Sequence, residues 1–108
     1  MKTLEINTVN ARSALVYKTD ITAGDELSLS CWGTVLGTAF CADVLPIEIK
    51  TRSFGLLGGK PLGFGGIDQV AKNCGFVNSD ELKPNLPFVG FLVLTNGFKK
   101  AEDKAEEA

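Results

Sequence analysis

The chain contains no histidine. That removes the commonest general base and the commonest metal ligand, and with them Ser-His-Asp, Cys-His and every histidine-based zinc arrangement. Arginine is scarce too, present only at Arg12 and Arg52. With eleven basic and thirteen acidic residues the net charge is −2, so no overall field draws the molecule to nucleic acid or to an anionic membrane. No apolar run approaches the roughly 20 residues that a membrane-spanning helix needs. Met1-Lys2 leads into Thr3-Leu4-Glu5-Ile6-Asn7 rather than into a greasy leader, which predicts a protein made in a cytoplasm and not exported by a signal peptide. The three cysteines, Cys31, Cys41 and Cys74, are odd in number and show no C-x-x-C spacing. They read as reduced, buried thiols rather than a disulfide framework or a metal site.

What is present is a stretch rich in glycine and in large apolar residues at once, Phe54 to Gly66. It carries Phe54, Leu56, Leu57, Leu62 and Phe64 among its glycines. A solvated linker is polar, whereas these side chains want burial. The stretch is predicted to be a long loop that plugs the core or a neighbouring subunit. Two phosphate-binding readings fail. Gly55 stands one position too close to Gly59-Lys60 for a P-loop, and Pro61 replaces the hydroxyl that would hold magnesium. Gly63-Phe64-Gly65 lacks the strand and tight turn that a dinucleotide fingerprint requires.

With 44% hydrophobic residues in 108, the composition is that of one globular domain with a single core. Strands are predicted over Thr3–Val9, Ser13–Asp20, Glu26–Trp32 and Leu45–Arg52, while Gly33 and Gly37 break Thr34–Cys41 into a turn and a short strand with Val35, Ala39 and Cys41. Glu26–Trp32 places Leu27, Leu29 and Cys31 on one face, and Leu45–Arg52 places Leu45, Ile47 and Ile49 inward. Ile67, Val70, Ala71 and Cys74 mark one face of a short helix over 67–74, stopped by Gly75. Lys83–Pro87 reads as an extended connector. Phe88–Thr95 reads as a central strand buried on both faces, with Gly90 at a close contact, ended by Asn96-Gly97. The expected architecture is mainly β, a small sandwich or barrel with one short helix, over residues 1–97. Residues 98–108 form a charged tail, frayed or helical.

Thr19-Asp20-Ile21-Thr22-Ala23-Gly24-Asp25-Glu26-Leu27 resembles the opening turns of small bacteriophage capsid decoration, or cement, proteins. Those have short strands after such a turn and end near a hydrophobic strand. The resemblance covers these positions alone and transfers no functional residue. It implies a non-enzymatic role in which a β-domain docks on capsid or tail subunits of a virion and tightens the shell. The apolar loop then supplies contacts to further copies or to a lattice, with no cofactor, no metal and no membrane. An alternative is a single-stranded nucleic-acid module of OB type, with Trp32, Tyr17, Phe40, Phe54 and Phe64 as stacking platforms. Against it, aromatic residues are more often core, and the groove charge is thin. A third reading is a small enzyme or ligand carrier with the glycine stretch as lid.

Overall fold

The computed structural model describes residues 1–101. The chain is mainly β, as expected, and the sheet is open. Its elements are β1 (Lys2–Glu5), β2 (Ser13–Val16), β3 (Glu26–Cys31), β4 (Thr34–Thr51), β5 (Phe54–Leu57), β6 (Lys60–Leu62), α1 (Phe64–Asn73), a 3-10 helix (Ser79–Asn85) and β7 (Phe88–Lys100). β4 and β7 run antiparallel along most of their length and form the spine. At one end of β4 hang β3 and, parallel to it, β1. At the other end hang β5 and β6. β2 pairs with the far side of β7.

The spine separates two apolar clusters, because successive strand residues point to opposite faces. Ile47, Ile49, Phe88 and Leu92 belong to one cluster, closed by Ile67, Val70, Ala71 and Cys74 of the helix and by Leu82. Val93 and Ala14 belong to the other, closed by Leu4, Leu27, Leu29 and Cys31 as β3 and β1 curl over. The expectation that Phe88–Thr95 is buried on both sides holds at the neighbours Leu92 and Val93.

Several boundaries differ from the expected ones, each for a local reason. The turn and short strand predicted over 34–41 and the strand predicted over 45–52 are one strand of 18 residues. Gly37 does not break it: a Cβ there would stand 2.2 Å from the Lys99 carbonyl oxygen, so glycine permits close approach of β7. Irregularities between Thr38 and Phe40 and between Cys41 and Asp43 let β4 keep pairing with β7. Pro46 sits one residue before pairing with β5 begins at Ile47, where its missing N–H is tolerated.

The Phe54–Gly66 stretch is not a loop. It is the β5–β6 hairpin followed by the first turn of α1. Gly58 and Gly59 both have positive φ, 58° and 83°, the backbone of a two-residue hairpin turn, and the Gly58 N–H donates to the Pro46 carbonyl at 2.8 Å. The helix begins at Phe64, earlier than 67, directly after the extended Gly63; Phe64-Gly65-Gly66 carries no apolar period that would mark this first turn in the sequence.

The Lys83–Pro87 connector is partly helical. Asn78 caps the 3-10 helix by accepting from the Asp80 N–H at 2.9 Å, and the helix runs through Pro84. β7 continues past Gly97 to Lys100, so Phe98, Lys99 and Lys100 are strand rather than tail. The remainder of the expected tail, 102–108, lies outside the described residues.

Candidate functional site

Several ionisable groups are paired with one another. Lys2 Nζ lies 2.8 Å from Asp25 Oδ2, which also accepts from the Thr22 N–H at 2.8 Å. The Lys2 contact, then the Thr22 N–H, holds the Asp25 carboxyl below the usual carboxylate range, and the same contact raises Lys2. Asp68 accepts from the Ser79 N–H at 3.0 Å and meets Lys72 Nζ at 3.0 Å, which lowers its pKa and ties α1 to the 3-10 helix. Arg52 Nη1 reaches Asp80 at 2.8 Å. Burial pushes the Cys74 thiol up to about 12, and Cys31 and Cys41 are buried and unbridged. Among the described residues no group of three histidine, cysteine, aspartate or glutamate side chains could hold a metal ion.

The surface also carries exposed aromatic side chains. All five aromatics considered for stacking are exposed, against the expectation of core packing: Trp32 86%, Tyr17 65%, Phe40 49%, Phe54 43% and Phe64 49%. A local reason is visible at Trp32. It occupies the β3–β4 hairpin turn with φ 52°, followed by Gly33 at 82°, so its ring projects from the tip. Phe54 and Phe64 lie near cations, with Lys50 Nζ 5.8 Å from the Phe54 ring centroid and the Arg52 guanidinium 5.6 Å from that of Phe64.

No family model matches this chain, and neither a curated protein nor a solved structure matches it.

The residues proposed from sequence as an interface divide between two faces of the hairpin. Leu57 and Leu62 turn inward and pack against the cluster under α1. Leu56 turns the other way, pairs with Glu48, and lines a cleft of about 350 Å³ with Pro46, Tyr17, Val89 and Phe91. Val89 is 63% exposed in the middle of a sheet face that no described element covers. Sequence reasoning missed Val89 and Phe91, which read as core because the run around them is apolar throughout.

Two further clefts adjoin β2. One, about 280 Å³, is lined by Ile6, Ala14, Trp32 and Phe76, with Glu5 and Asn7 at its polar side. The second, about 180 Å³, is lined by Leu82, Leu86, Phe88 and Tyr17. Leu15 and Phe76 border both, so the two clefts adjoin.

Proposed function

We propose that this domain is a structural assembly protein that works without catalysis, by burying apolar surface against copies of itself or against a larger protein lattice. The observation that carries the reading is the open cleft on the sheet lined by Leu56, Val89, Phe91 and Tyr17, on a surface where Trp32, Phe54 and Phe64 are exposed as well. Exposed apolar patches beyond a few hundred Å² mark interaction sites. Leu57 and Leu62 support the reading from beneath, since they fix the hairpin that presents Leu56 and Phe54. Together with the decoration-protein resemblance at Thr19–Leu27, this favours a virion component that docks on capsid or tail subunits after synthesis in the host cytoplasm. Light scattering on the purified chain, alone and with assembled capsids, tests it. We expect oligomers or capsid-bound protein; a monodisperse monomer that ignores both overturns it.

One observation favours a second reading as a single-strand nucleic-acid module: Lys50 beside Phe54 and Arg52 beside Phe64 combine cation and ring. Against it, Arg52 is paired with Asp80 and Lys50 faces Glu48 at 3.9 Å, so little positive charge is left for a phosphate backbone. Quenching of Trp32 fluorescence by oligo-dT at low salt, lost at high salt, would favour this reading over assembly.

A further inference from the structure

The two clefts beside β2 meet at Leu15 and Phe76, and their walls differ in kind. The smaller is apolar along Ile49, Leu82, Leu86 and Phe88, with Tyr17 and Asn85 as its polar groups. The larger lies where the two apolar clusters meet: Ile6 and Ala14 belong to one, Cys74 to the other. Glu5, Asn7 and Trp32 complete its wall. At about 280 and 180 Å³ each is small alone, but joined they fall within the roughly 300–1,000 Å³ of ordinary ligand pockets.

We propose that the joined clefts bind an amphipathic organic cation, its ammonium head at Glu5 and Trp32 and its aliphatic chain laid past Leu15 and Phe76 into the smaller cleft.

Three features of the larger cleft favour positive charge. Glu5 brings a carboxylate that meets no lysine or arginine among the described residues. Trp32 brings an indole that is 86% exposed, and indole faces attract cations better than other rings do. Cys74, which lines the cleft, is the residue that caps the C-terminal end of α1, where a helix carries partial negative charge. No lysine or arginine lines either cleft to cancel these. Arg12, two residues before Ala14, is committed elsewhere: it sits 3.8 Å from the Phe98 ring centroid and donates to the Val9 and Ala11 carbonyls. An anionic head would be repelled here, and a wholly apolar ligand would cover a carboxylate without giving it a partner.

The smaller cleft has no charged residue in its wall, which suits a chain of methylenes. Trp32 also holds a left-handed backbone, φ 52°, that glycine would adopt without strain. A ligand that uses the indole accounts for a tryptophan at that place. The pair of clefts is distinct from the sheet cleft of Leu56, Val89 and Phe91, with Tyr17 alone bordering both sites, so this inference does not rest on the assembly reading.

Trp32 is the chain's single tryptophan, so its fluorescence reports on the head site directly. Octyltrimethylammonium, octanol and octanoate, one chain length with three heads, are titrated below their micelle-forming concentrations, with calorimetry beside. We expect the cation to saturate and to bind about ten-fold or more tighter than either of the others, and to weaken as salt is added. From hexyl to decyl the trimethylammonium series should tighten roughly three- to four-fold per methylene. Glu5→Gln, an exposed and conservative change, should weaken the cation about ten-fold and leave octanol within about two-fold, with circular dichroism unchanged. Equal binding of the three heads, or tightest binding of octanoate, overturns the proposal, as does a Glu5→Gln variant that binds the cation like the parent. Affinity that ignores chain length overturns the part given to the smaller cleft, and no saturable binding overturns the site altogether. None of these results touches the assembly reading, which light scattering decides.

Discussion

The carbonyl oxygen of Val16 lies 2.2 Å from the point where a Cβ on Gly90 would stand. β2 can lie against β7 only because β7 has no side chain at that position. Gly90→Ala should therefore push the two strands apart and destabilise the domain by about 1–3 kcal/mol, the range for overpacking a closed contact. Gly65→Ala is the counterpart. Nothing lies within 4 Å of its Cβ position in the first turn of α1. Alanine there should stabilise by about 0.5–1 kcal/mol through the helix preference alone. Urea unfolding of both variants measures the contrast.

Trp32 holds a left-handed backbone that suits glycine or asparagine, and does so while projecting into solvent. Strain kept at an exposed position points to use. Trp32→Asn should raise the melting temperature, gaining about 0.5–1 kcal/mol from the relieved turn, while weakening self-association. A variant that is less stable and equally associated would contradict this.

The two faces of the β5–β6 hairpin predict two kinds of variant. Leu57→Ala and Leu62→Ala remove half-buried side chains from the cluster under α1 and should each cost about 1–3 kcal/mol. Phe54→Ala and Phe64→Ala should change stability by no more than about 0.5 kcal/mol. Chemical denaturation separates the pairs.

Much of this arrangement was legible in the residues, and the gaps have physical causes. Leu27, Leu29 and Cys31 at period two, and Ile67, Val70, Ala71 and Cys74 at helical spacing, marked their buried faces correctly, because local periodicity encodes them. The continuity of β4 was not legible, since Gly37 reads as a break until the close passage of Lys99 is known. The Gly58-Gly59 turn carried a recognised hairpin signal, but the leucines and phenylalanines around it suggested a plugging loop. Of the five residues expected at an interface, Phe54, Leu56 and Phe64 reach the surface, and Leu57 and Leu62 do not face outward. The exposure of Val89 depends on which face of the finished sheet stays uncovered, and the edge of β2 depends on a partner strand far along the chain. Neither is written in any local pattern.

Acid should destabilise the fold through two carboxylates. Asp25 and Asp68 both have folded pKa values below the ordinary one. Their contributions are complete above the unfolded value, about 4, and are lost as pH falls through the folded value. Lys2 is raised, so its contribution is present below about 10.4 and is lost as pH climbs through its folded value. Asp25→Asn should flatten the acid limb of a stability–pH curve and, by removing the partner of Lys2, the alkaline limb as well.

The thiols should be silent in the native protein. Cys74, whose thiol burial pushes up to about 12, and the buried Cys31 and Cys41 should resist iodoacetamide at pH 8 and react fully in denaturant. Rapid native labelling of Cys74 would place it in a different environment from the one described.

β7 is the shared neighbour of β2 and β4, and among the described residues it is the last strand to be made. Until Lys100 has left the ribosome, β2 is bare along both flanks, and the nascent chain carries a sticky, unclaimed ribbon from its first quarter onward. Such a polypeptide is most vulnerable to clumping during translation, when many copies grow side by side on one message. Slowing synthesis should lower its soluble yield more than it would for a domain whose early strands close on one another.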